Sequence, residues 1–255
     1  MIDNYITGLG FVGSQLLQKL DGYTIHVQHD KIFDYGYEDC RNFFYLASYG
    51  NMADHTDVSE ILRANVGMVG RVVGGILEGE FKCDHFIYVS SSSVLLPVQT
   101  PYSRAKRAAE EMILASGISA TIVRPFSVTG VGEQPQHLIP TLIRSCMEGE
   151  VMPFVAWPVH DFVDVLDVCD GLLLAAERKE TGIVELGSGD CFTNACIKDF
   201  VQEACGKPAK LDYAFFERPY DGTNWKCTNP MPGWKPEKWI MQSIQEMVEA
   251  YKNAH

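Results

Sequence analysis

The segment Asn4-Tyr5-Ile6-Thr7-Gly8-Leu9-Gly10-Phe11-Val12-Gly13 decides the fold of this chain. It runs from a short strand pattern into the spacing G-x-G-x-x-G, and a helical pattern over residues 14–20 follows at once. In such a turn the first glycine permits a tight bend, the second lets the backbone approach a pyrophosphate, and the third allows close helix–strand packing. The start of the helix adds amide donors and a partial positive charge. The segment therefore predicts a dinucleotide-binding turn at Gly8, Gly10 and Gly13.

The next strand pattern, residues 23–28, ends close to the pair Asp30-Lys31. An acid about 20 residues after such glycines binds the ribose hydroxyls of the adenosine, and Asp30 is the candidate. Lys31 would instead meet a 2′-phosphate, or it is a solvated loop charge. The sequence favours NAD slightly and leaves NADP open.

Farther along, strand and helix patterns alternate, which predicts an α/β fold with a Rossmann-like, doubly wound parallel sheet. We expect a dinucleotide-binding core over residues 1–130, completed by part of 155–190, and a small substrate lobe mostly within 131–255. The predicted strands are residues 42–48, 86–89, 117–125 and 182–186. The predicted helices are residues 61–77, 102–115, 137–148, 167–178, 194–205 and 237–253.

A candidate catalytic pair lies at the start of the helix over residues 102–115. Tyr102 and Lys106 are spaced i and i+4, so their side chains share one helix face. A cation favours the phenolate form, which lets a tyrosine exchange protons with a substrate hydroxyl. The serine run over residues 90–93 follows the preceding strand, and Ser91 or Ser92 would hydrogen-bond the same oxygen. Alone, this spacing is common in helices, and the surrounding segments give it meaning.

Composition excludes several classes of function. The net charge of −12 argues against non-specific binding of nucleic acid and against an anionic membrane surface. No apolar run approaches the ~18 residues of a membrane span, and the first residues lack the pattern of a secretory signal. A cytoplasmic location is therefore expected. The eight cysteines show no Cys-x-x-Cys and no zinc-like spacing with histidine, so we expect reduced thiols and no metal.

Taken in order, these segments resemble the extended short-chain dehydrogenase/reductases, the NAD-dependent epimerase/dehydratase family that acts on nucleotide sugars. The glycine turn resembles the family's Thr-Gly-x-x-Gly-Phe-x-Gly but is one residue shorter. Further similar segments are Tyr45-Leu46-Ala47-Ser48, Asn65-Val66, Val89-Ser90-Ser91-Ser92-Ser93-Val94, Tyr102 with Lys106, Arg124-Pro125-Phe126-Ser127-Val128-Thr129-Gly130, the run from His160 to Val168, Arg218-Pro219-Tyr220-Asp221 and Gly233-Trp234-Lys235-Pro236.

The resemblance assigns a role to each matching position and implies a homodimer formed through the helices over residues 61–77 and 102–115. The implied catalytic residues are Ser91, Tyr102 and Lys106. The implied cofactor contacts are Gly8, Gly10, Phe11, Val12, Gly13, Asp30, Leu46, Ala47, Ser48, Lys106 and Pro125. The implied substrate contacts are Ser92, Ser127, His160 and the diphosphate-binding Arg218.

Departures from the family pattern refine the expected reaction. The family's dehydratases place Asp-Glu directly after the catalytic serine, whereas this chain has Ser92 and Ser93. That difference favours an NAD(P)-dependent epimerase or ketosugar reductase acting on a nucleotide-diphosphate sugar. The segment after the second strand and the loop from Ser91 to Tyr102 are short, and His160 replaces an arginine. The short loops motivate one alternative, a catalytically inactive dinucleotide-binding sensor or scaffold. A reductase of a small non-sugar ketone is the other, and it would be favoured if Arg218 pointed away from the cleft.

Overall fold

The computed structural model describes residues 1–52, 54–213 and 225–255. Its strands are β1 (Ile2–Thr7), β2 (Thr24–Val27), β3 (Cys40–Tyr45), β4 (Cys83–Val89), β5 (Ala120–Pro125), β6 (Ser127–Thr129), β7 (Val151–Phe154), β8 (Val159–Asp164), β9 (Gly182–Leu186), β10 (Cys191–Thr193) and β11 (Lys210–Tyr213). Its helices are α1 (Phe11–Lys19), α2 (Val58–Leu62), α3 (Met68–Glu78), α4 (Pro101–Ser116), α5 (Leu138–Glu148), α6 (Val165–Arg178), α7 (Asn194–Cys205) and α8 (Ile240–Ala254).

The chain divides into two compact units. The first comprises Met1–Pro125 and Cys169–Glu185, and the second comprises Phe126–Val168 and Leu186–His255. No helix in the described ranges is both long enough and apolar enough to span a bilayer.

The first unit is built on a six-stranded sheet in the order β2-β1-β3-β4-β5-β9. Strands β1 to β5 pair in parallel, and the predicted α/β class is confirmed. The chain runs outward from β1 to β2 and then returns to β3 on the other side of β1. This reversal opens a crevice at the carboxyl ends of β1 and β3, which is where ligands bind in open α/β sheets.

One face of this sheet is covered by aromatic side chains from the short segment after β2. Tyr35 and Tyr37 pack against Tyr5, with ring centroids 6.0 and 5.5 Å away, and Tyr37 also stacks on Phe81 at 4.9 Å. A loop too short for a helix can still bury the sheet because each aromatic ring covers a large apolar area.

The predicted helix over residues 61–77 is interrupted. It consists of α2, a π-helical turn over Arg63–Gly67, and α3. Asn65 lies in the π turn and is fully buried, and its amide donates to the carbonyls of Tyr49 (2.6 Å) and Ile61 (2.8 Å). A π turn inserts an extra residue into the helix, and such turns are frequent at functional sites.

Helix α4 has strong signals at both ends, and these fix where Tyr102 and Lys106 lie. Thr100 caps the helix by accepting a hydrogen bond from the backbone N–H of Ser103, and Pro101 occupies the first turn, where its missing N–H costs nothing. Gly117 ends the helix in the left-handed conformation with φ +71°.

The second unit contains the sheet β10-β8-β6 and the parallel pair β11-β7. Helices α5, α7 and α8 were predicted to within about three residues at each end, the error expected of helix boundaries. The sequence did not predict β6, β7, β8, β10 and β11, which lie in the irregular part of the chain without the clear alternation of strand and helix patterns. Such strands form only when a distant partner pairs with them. The unit's core includes Ile139, Leu142, Ile197, Val201, Ile244 and Val248.

Candidate active site

The glycine turn leaves room above the start of α1. A Cβ on Gly8 would meet the Ala47 nitrogen at 2.5 Å, and one on Gly13 would meet the Gly8 carbonyl oxygen at 2.0 Å. A Cβ on Gly10 would meet no described atom within 4 Å. The first and third glycines are thus required by packing, while the second lies at open space beside a helix start that lacks a side-chain cap. This geometry fits a pyrophosphate on the helix N-terminus.

The carboxyl end of β3 is held against this turn. The Thr7 hydroxyl accepts hydrogen bonds from the backbone N–H groups of Leu46 (3.2 Å) and Ala47 (3.3 Å). Asp30 lies after β2 in a short 3-10 turn, where its exposed carboxylate is 3.9 Å from the Lys31 ammonium. Asp30 and Lys31 therefore both lie at the carboxyl end of β2.

Three segments meet at the Tyr102 side chain. Tyr102 lies in the first turn of α4, Ser91 follows β4, and Ser48 follows β3. Burial raises the pKa of Tyr102 to about 12, against the lowering effect of hydrogen bonds with the Ser91 and Ser48 hydroxyls. A Cβ on Gly50 would lie 3.3 Å from the Tyr102 ring. The raised pKa of Tyr102 is opposite to the shift expected from the sequence, because burial outweighs the stabilising contacts.

Lys106 lies one turn farther along α4 and is 1% exposed. Its ammonium donates to the Val89 carbonyl at 2.8 Å and lies 4.9 Å from the Tyr88 ring centroid and 5.9 Å from that of Tyr102. Burial lowers the pKa of Lys106 to about 7, and the carboxylate of Glu110 opposes this shift. A lysine that is only partly protonated at neutral pH gives weaker support to a phenolate than a full cation would.

Several further polar atoms at this end of the sheet are buried without a partner among the described residues. They include the hydroxyl oxygen of Tyr88, beside Lys106, and the side-chain oxygen of Asn65 in the π turn. Buried polar atoms are rarely left unpaired in folded proteins, and exceptions call for an explanation such as a catalytic role. The sequence offered no role for Tyr88, which reads as one more aromatic residue in a buried strand.

Behind Lys106, the carboxylate of Glu110 is 1% exposed and fully paired. It accepts hydrogen bonds from Arg124 (Nε 2.9 Å, Nη2 2.6 Å) and from the Ser90 hydroxyl (2.5 Å). Glu110 was not predicted from the sequence as a site residue, although its position four residues after Lys106 on a predicted helix was the available signal.

The other sequence-predicted positions lie in several places. Pro125 ends β5, and Ser92 is buried in the 3-10 turn that Ser91 caps. In the second unit, the Ser127 hydroxyl lies 3.5 Å from Nδ1 of His160. The His160 ring centroid is 5.5 Å from that of Trp225. Arg218 lies outside the described residues, so the structure adds nothing to its predicted role.

Known proteins resemble this chain in both sequence and fold. dTDP-6-deoxy-L-talose 4-dehydrogenase (NAD(P)(+)) of Kitasatospora kifunensis is 26% identical over an alignment of 172 residues that covers 60% of this chain and 54% of that protein. UDP-glucose 4-epimerase of Corynebacterium glutamicum is 28% identical over an alignment of 163 residues that covers 55% of this chain and 49% of that protein. The chain thus spans about half the length of the curated relatives it matches.

The UDP-N-acetylglucosamine 4-epimerase of Methanobrevibacter ruminantium M1, solved with UDP-N-acetylmuramic acid, shares the fold with a TM-score of 0.86 at 19% identity, and the match covers 100% of both chains. MoeE5, solved with UDP-glucuronic acid and NAD, gives a TM-score of 0.83 at 22% identity over 99% of this chain and 100% of that one.

Residues 38–187 match the sequence profile described as the NAD dependent epimerase/dehydratase family. That match begins at β3 and runs through the Ser91, Tyr102 and Lys106 region to the end of β9. Because it spans more than half of the chain, this protein belongs to the NAD-dependent epimerase/dehydratase family.

Proposed function

We propose that this protein transfers hydride between a nicotinamide cofactor and a carbon of a nucleoside-diphosphate sugar, as an epimerase or a ketosugar reductase. The observation that carries the proposal is the convergence of the Ser91 and Ser48 hydroxyls on Tyr102, with Lys106 one turn away on the same helix face. The names of two relatives, a 4-epimerase and a 4-dehydrogenase of nucleotide sugars, agree with this chemistry.

The turn after β1 and the end of β3 fit the cofactor. Backbone groups of residues 8–13 would hold the pyrophosphate, Asp30 the adenosine ribose, and Leu46 and Ala47 the adjoining surface. Pro125, at the end of β5, completes the proposed contacts. When bound, the nicotinamide supplies the hydride exchange. The preference between NAD and NADP depends on the exposed pair Asp30 and Lys31, whose charges oppose each other.

Tyr102 would act as the proton donor and acceptor. A phenol with a pKa of about 12 is protonated at neutral pH, so Tyr102 is set to donate a proton to a ketosugar oxygen. To accept a proton in the reverse direction its pKa has to fall, and Lys106 is the nearby cation that acts in that direction. Ser91 would bind the same substrate oxygen.

The residues after Ser91 favour these reactions over elimination of water. A dTDP-glucose 4,6-dehydratase is also among the relatives, at 25% identity. In this chain Ser92 and Ser93 occupy the positions directly after Ser91, and Ser92 is buried. Neither hydroxyl can perform the acid–base work of a carboxyl pair at neutral pH.

Two observations support a second candidate, a dinucleotide-binding sensor without catalysis. The Lys106 ammonium is aimed at the Val89 carbonyl, and the pKa of Tyr102 is raised rather than lowered by its surroundings, burial first. The third candidate is a reductase of a small non-sugar ketone, and it would be favoured if Arg218 pointed away from the substrate. Assays with different substrates distinguish it from the other two candidates.

We further propose a cytoplasmic homodimer. Large apolar side chains are exposed on α2, α3 and α4, the helices through which the dimer was predicted to form. They are Val58 (49%), Leu62 (51%), Leu77 (57%) and Leu114 (46%). A pair of chains would bury this surface. Sedimentation of the purified protein tests the dimer directly, and a monomer at micromolar concentration would contradict it.

The proposed function is tested by mass spectrometry of small molecules released from the purified protein, followed by assays with UDP- and dTDP-hexoses and their 4-keto forms. An epimerase would release bound dinucleotide and interconvert sugars without added cofactor. A reductase would consume NADH or NADPH with a ketosugar. Dinucleotide affinity with no turnover of any sugar or ketone would establish the sensor, and turnover of small ketones alone would establish the third candidate.

A further inference from the structure

A second polar cluster lies on the same face of α4 as the proposed catalytic pair. Glu110 follows Lys106 by four residues and Tyr102 by eight, so all three side chains line one stripe of the helix. The Glu110 carboxylate is 1% exposed and makes a bidentate ion pair with Arg124, whose side chain is 15% exposed. Paired, hydrogen-bonded geometry of this kind is what allows a charge to be buried at all.

The contacts of Glu110 join three elements. Arg124 belongs to β5, and Ser90 directly follows β4. The Ser90 hydroxyl donates to the same carboxylate at 2.5 Å, while its backbone N–H donates to the Val123 carbonyl at 2.7 Å. One carboxylate therefore ties α4 to the carboxyl ends of two neighbouring strands. Because Ser90 adjoins Ser91, this tie also sets how far the Ser91 hydroxyl lies from Tyr102.

The same carboxylate acts on Lys106 through its charge. Burial favours the neutral amine of Lys106, and Glu110 favours the ammonium. The groups that face this pair are Tyr88 and the Val89 carbonyl from β4, Tyr102 from α4 and Arg124 from β5. The negative charges of Glu111 on α4 and Glu185 on β9 also help to raise the pKa of Arg124. If Glu110 lost its charge, the Arg124 cation would remain and would push Lys106 toward the neutral amine.

We propose that Glu110 is a positioning residue of the reaction, which fixes Ser91 relative to Tyr102 and keeps Lys106 protonated. The proposal rests on the proposed function, in which Ser91, Tyr102 and Lys106 handle the substrate proton. Glu110 touches no reacting atom in this arrangement and acts through its neighbours.

The test compares Glu110→Gln with Glu111→Gln, a matched control at the adjacent exposed position. Lys106 is titrated by NMR in protein carrying ¹³C-labelled lysine, with its signal assigned by its loss in Lys106→Met. In Glu110→Gln we expect the titration midpoint of Lys106 to fall by about one pH unit. We also expect kcat at pH 7 to fall about tenfold or more, with the loss shrinking at lower pH. Glu111→Gln should match the wild type in both.

A folded Glu110→Gln variant with the wild-type Lys106 titration and the wild-type kcat would overturn the proposal. If that variant does not fold, the double variant Glu110→Gln/Arg124→Met removes both buried charges and leaves an uncharged pair. It is expected to fold and to remain slow because the tie to Ser90 is weakened, and wild-type kcat in it would also overturn the proposal. Should the wild type show no turnover, the proposed function fails, while the NMR titration still decides whether Glu110 sets the charge of Lys106.

Discussion

A buried histidine at the amino-terminal ends of β4 and β5 has hydrogen-bond partners for both of its ring nitrogens. At the carboxyl end of β4, by contrast, a buried tyrosine hydroxyl has no hydrogen-bond partner among the described residues. His85 on β4 is 0% exposed, and its two ring nitrogens lie 2.8 Å from the hydroxyls of Ser119 and Thr121. At the other end of the same strand, the Tyr88 hydroxyl has no partner among the described residues, and burial lowers the pKa of Lys106 to about 7.

The contrast separates polar groups that serve stability from polar groups that we propose take part in the reaction. A satisfied buried network rigidifies the fold, while a partly satisfied one costs stability and persists where function requires it. Replacing Tyr102 or Lys106 should therefore abolish turnover and leave the fold intact. Replacing His85 should weaken the fold and leave turnover unchanged.

The largest expected effect is that of Tyr102→Phe. Without the phenol oxygen no proton can be exchanged at this position, so kcat should fall about 10³-fold, which corresponds to roughly 4 kcal/mol. The melting temperature should change little, because the gain from removing a buried hydroxyl is offset by the loss of its hydrogen bonds with the Ser48 and Ser91 hydroxyls. Conversion of the sugar, measured by chromatography, gives kcat for either proposed reaction, and calorimetry gives the melting temperature. Wild-type turnover in Tyr102→Phe would contradict the proposed role of Tyr102 in proton exchange.

The second prediction concerns the lowered pKa of His85, which should make the stability of the protein depend on pH. The Thr121 hydroxyl donates to the Glu180 carbonyl and can only accept from Nε2, which assigns the proton to Nε2 and leaves Nδ1 to accept from Ser119. Burial, with a smaller effect of Lys179, lowers the pKa of His85 to about 4, from an unfolded value of about 6.5. Between these values the unfolded chain binds the proton and the folded chain does not.

The free energy of unfolding should therefore decrease as the pH falls from about 6.5 to about 4, and His85 should account for roughly 3 kcal/mol of the decrease. Urea unfolding of the wild type and of His85→Gln over this range isolates that contribution, since the variant does not titrate there. Parallel curves for the two proteins would show that His85 binds its proton equally well when folded. Turnover of the variant at pH 7 should equal that of the wild type.

The smallest expected effect is a gain in stability from Lys106→Met. Burial lowers the pKa of this lysine from 10.5 to about 7, so the folded state is penalised most below pH 7 and recovers as the pH rises toward 10.5. The variant should be more stable by about 2 kcal/mol at pH 6, after the loss of the bond to the Val89 carbonyl. Chemical denaturation at pH 6 and pH 9 checks both the gain and its decline. A variant less stable than the wild type at pH 6 would contradict the comparison.

Much of the first unit could be predicted because its signals are local. The glycine spacing of residues 8–13, the helix face shared by Tyr102 and Lys106, and the alternation of strands with helices each depend on neighbours within a few residues. The π turn at Asn65 and the aromatic cover from Tyr35 and Tyr37 could not be predicted, because each depends on what the rest of the sheet offers to pack against.

The candidate site divides in the same way. The sequence by itself determined the parallel α/β sheet, the glycine turn after β1 and the presence of a serine, a tyrosine and a lysine in the order that the proposed chemistry requires. Only the tertiary structure decided that Ser48 joins Ser91 at Tyr102, that Glu110 ties α4 to Arg124 and Ser90, and that burial raises the pKa of Tyr102 while lowering that of Lys106. The reason is physical. Hydrophobic periodicity depends on residues close together in the sequence, whereas burial and pairing between distant residues exist only once the strands lie side by side.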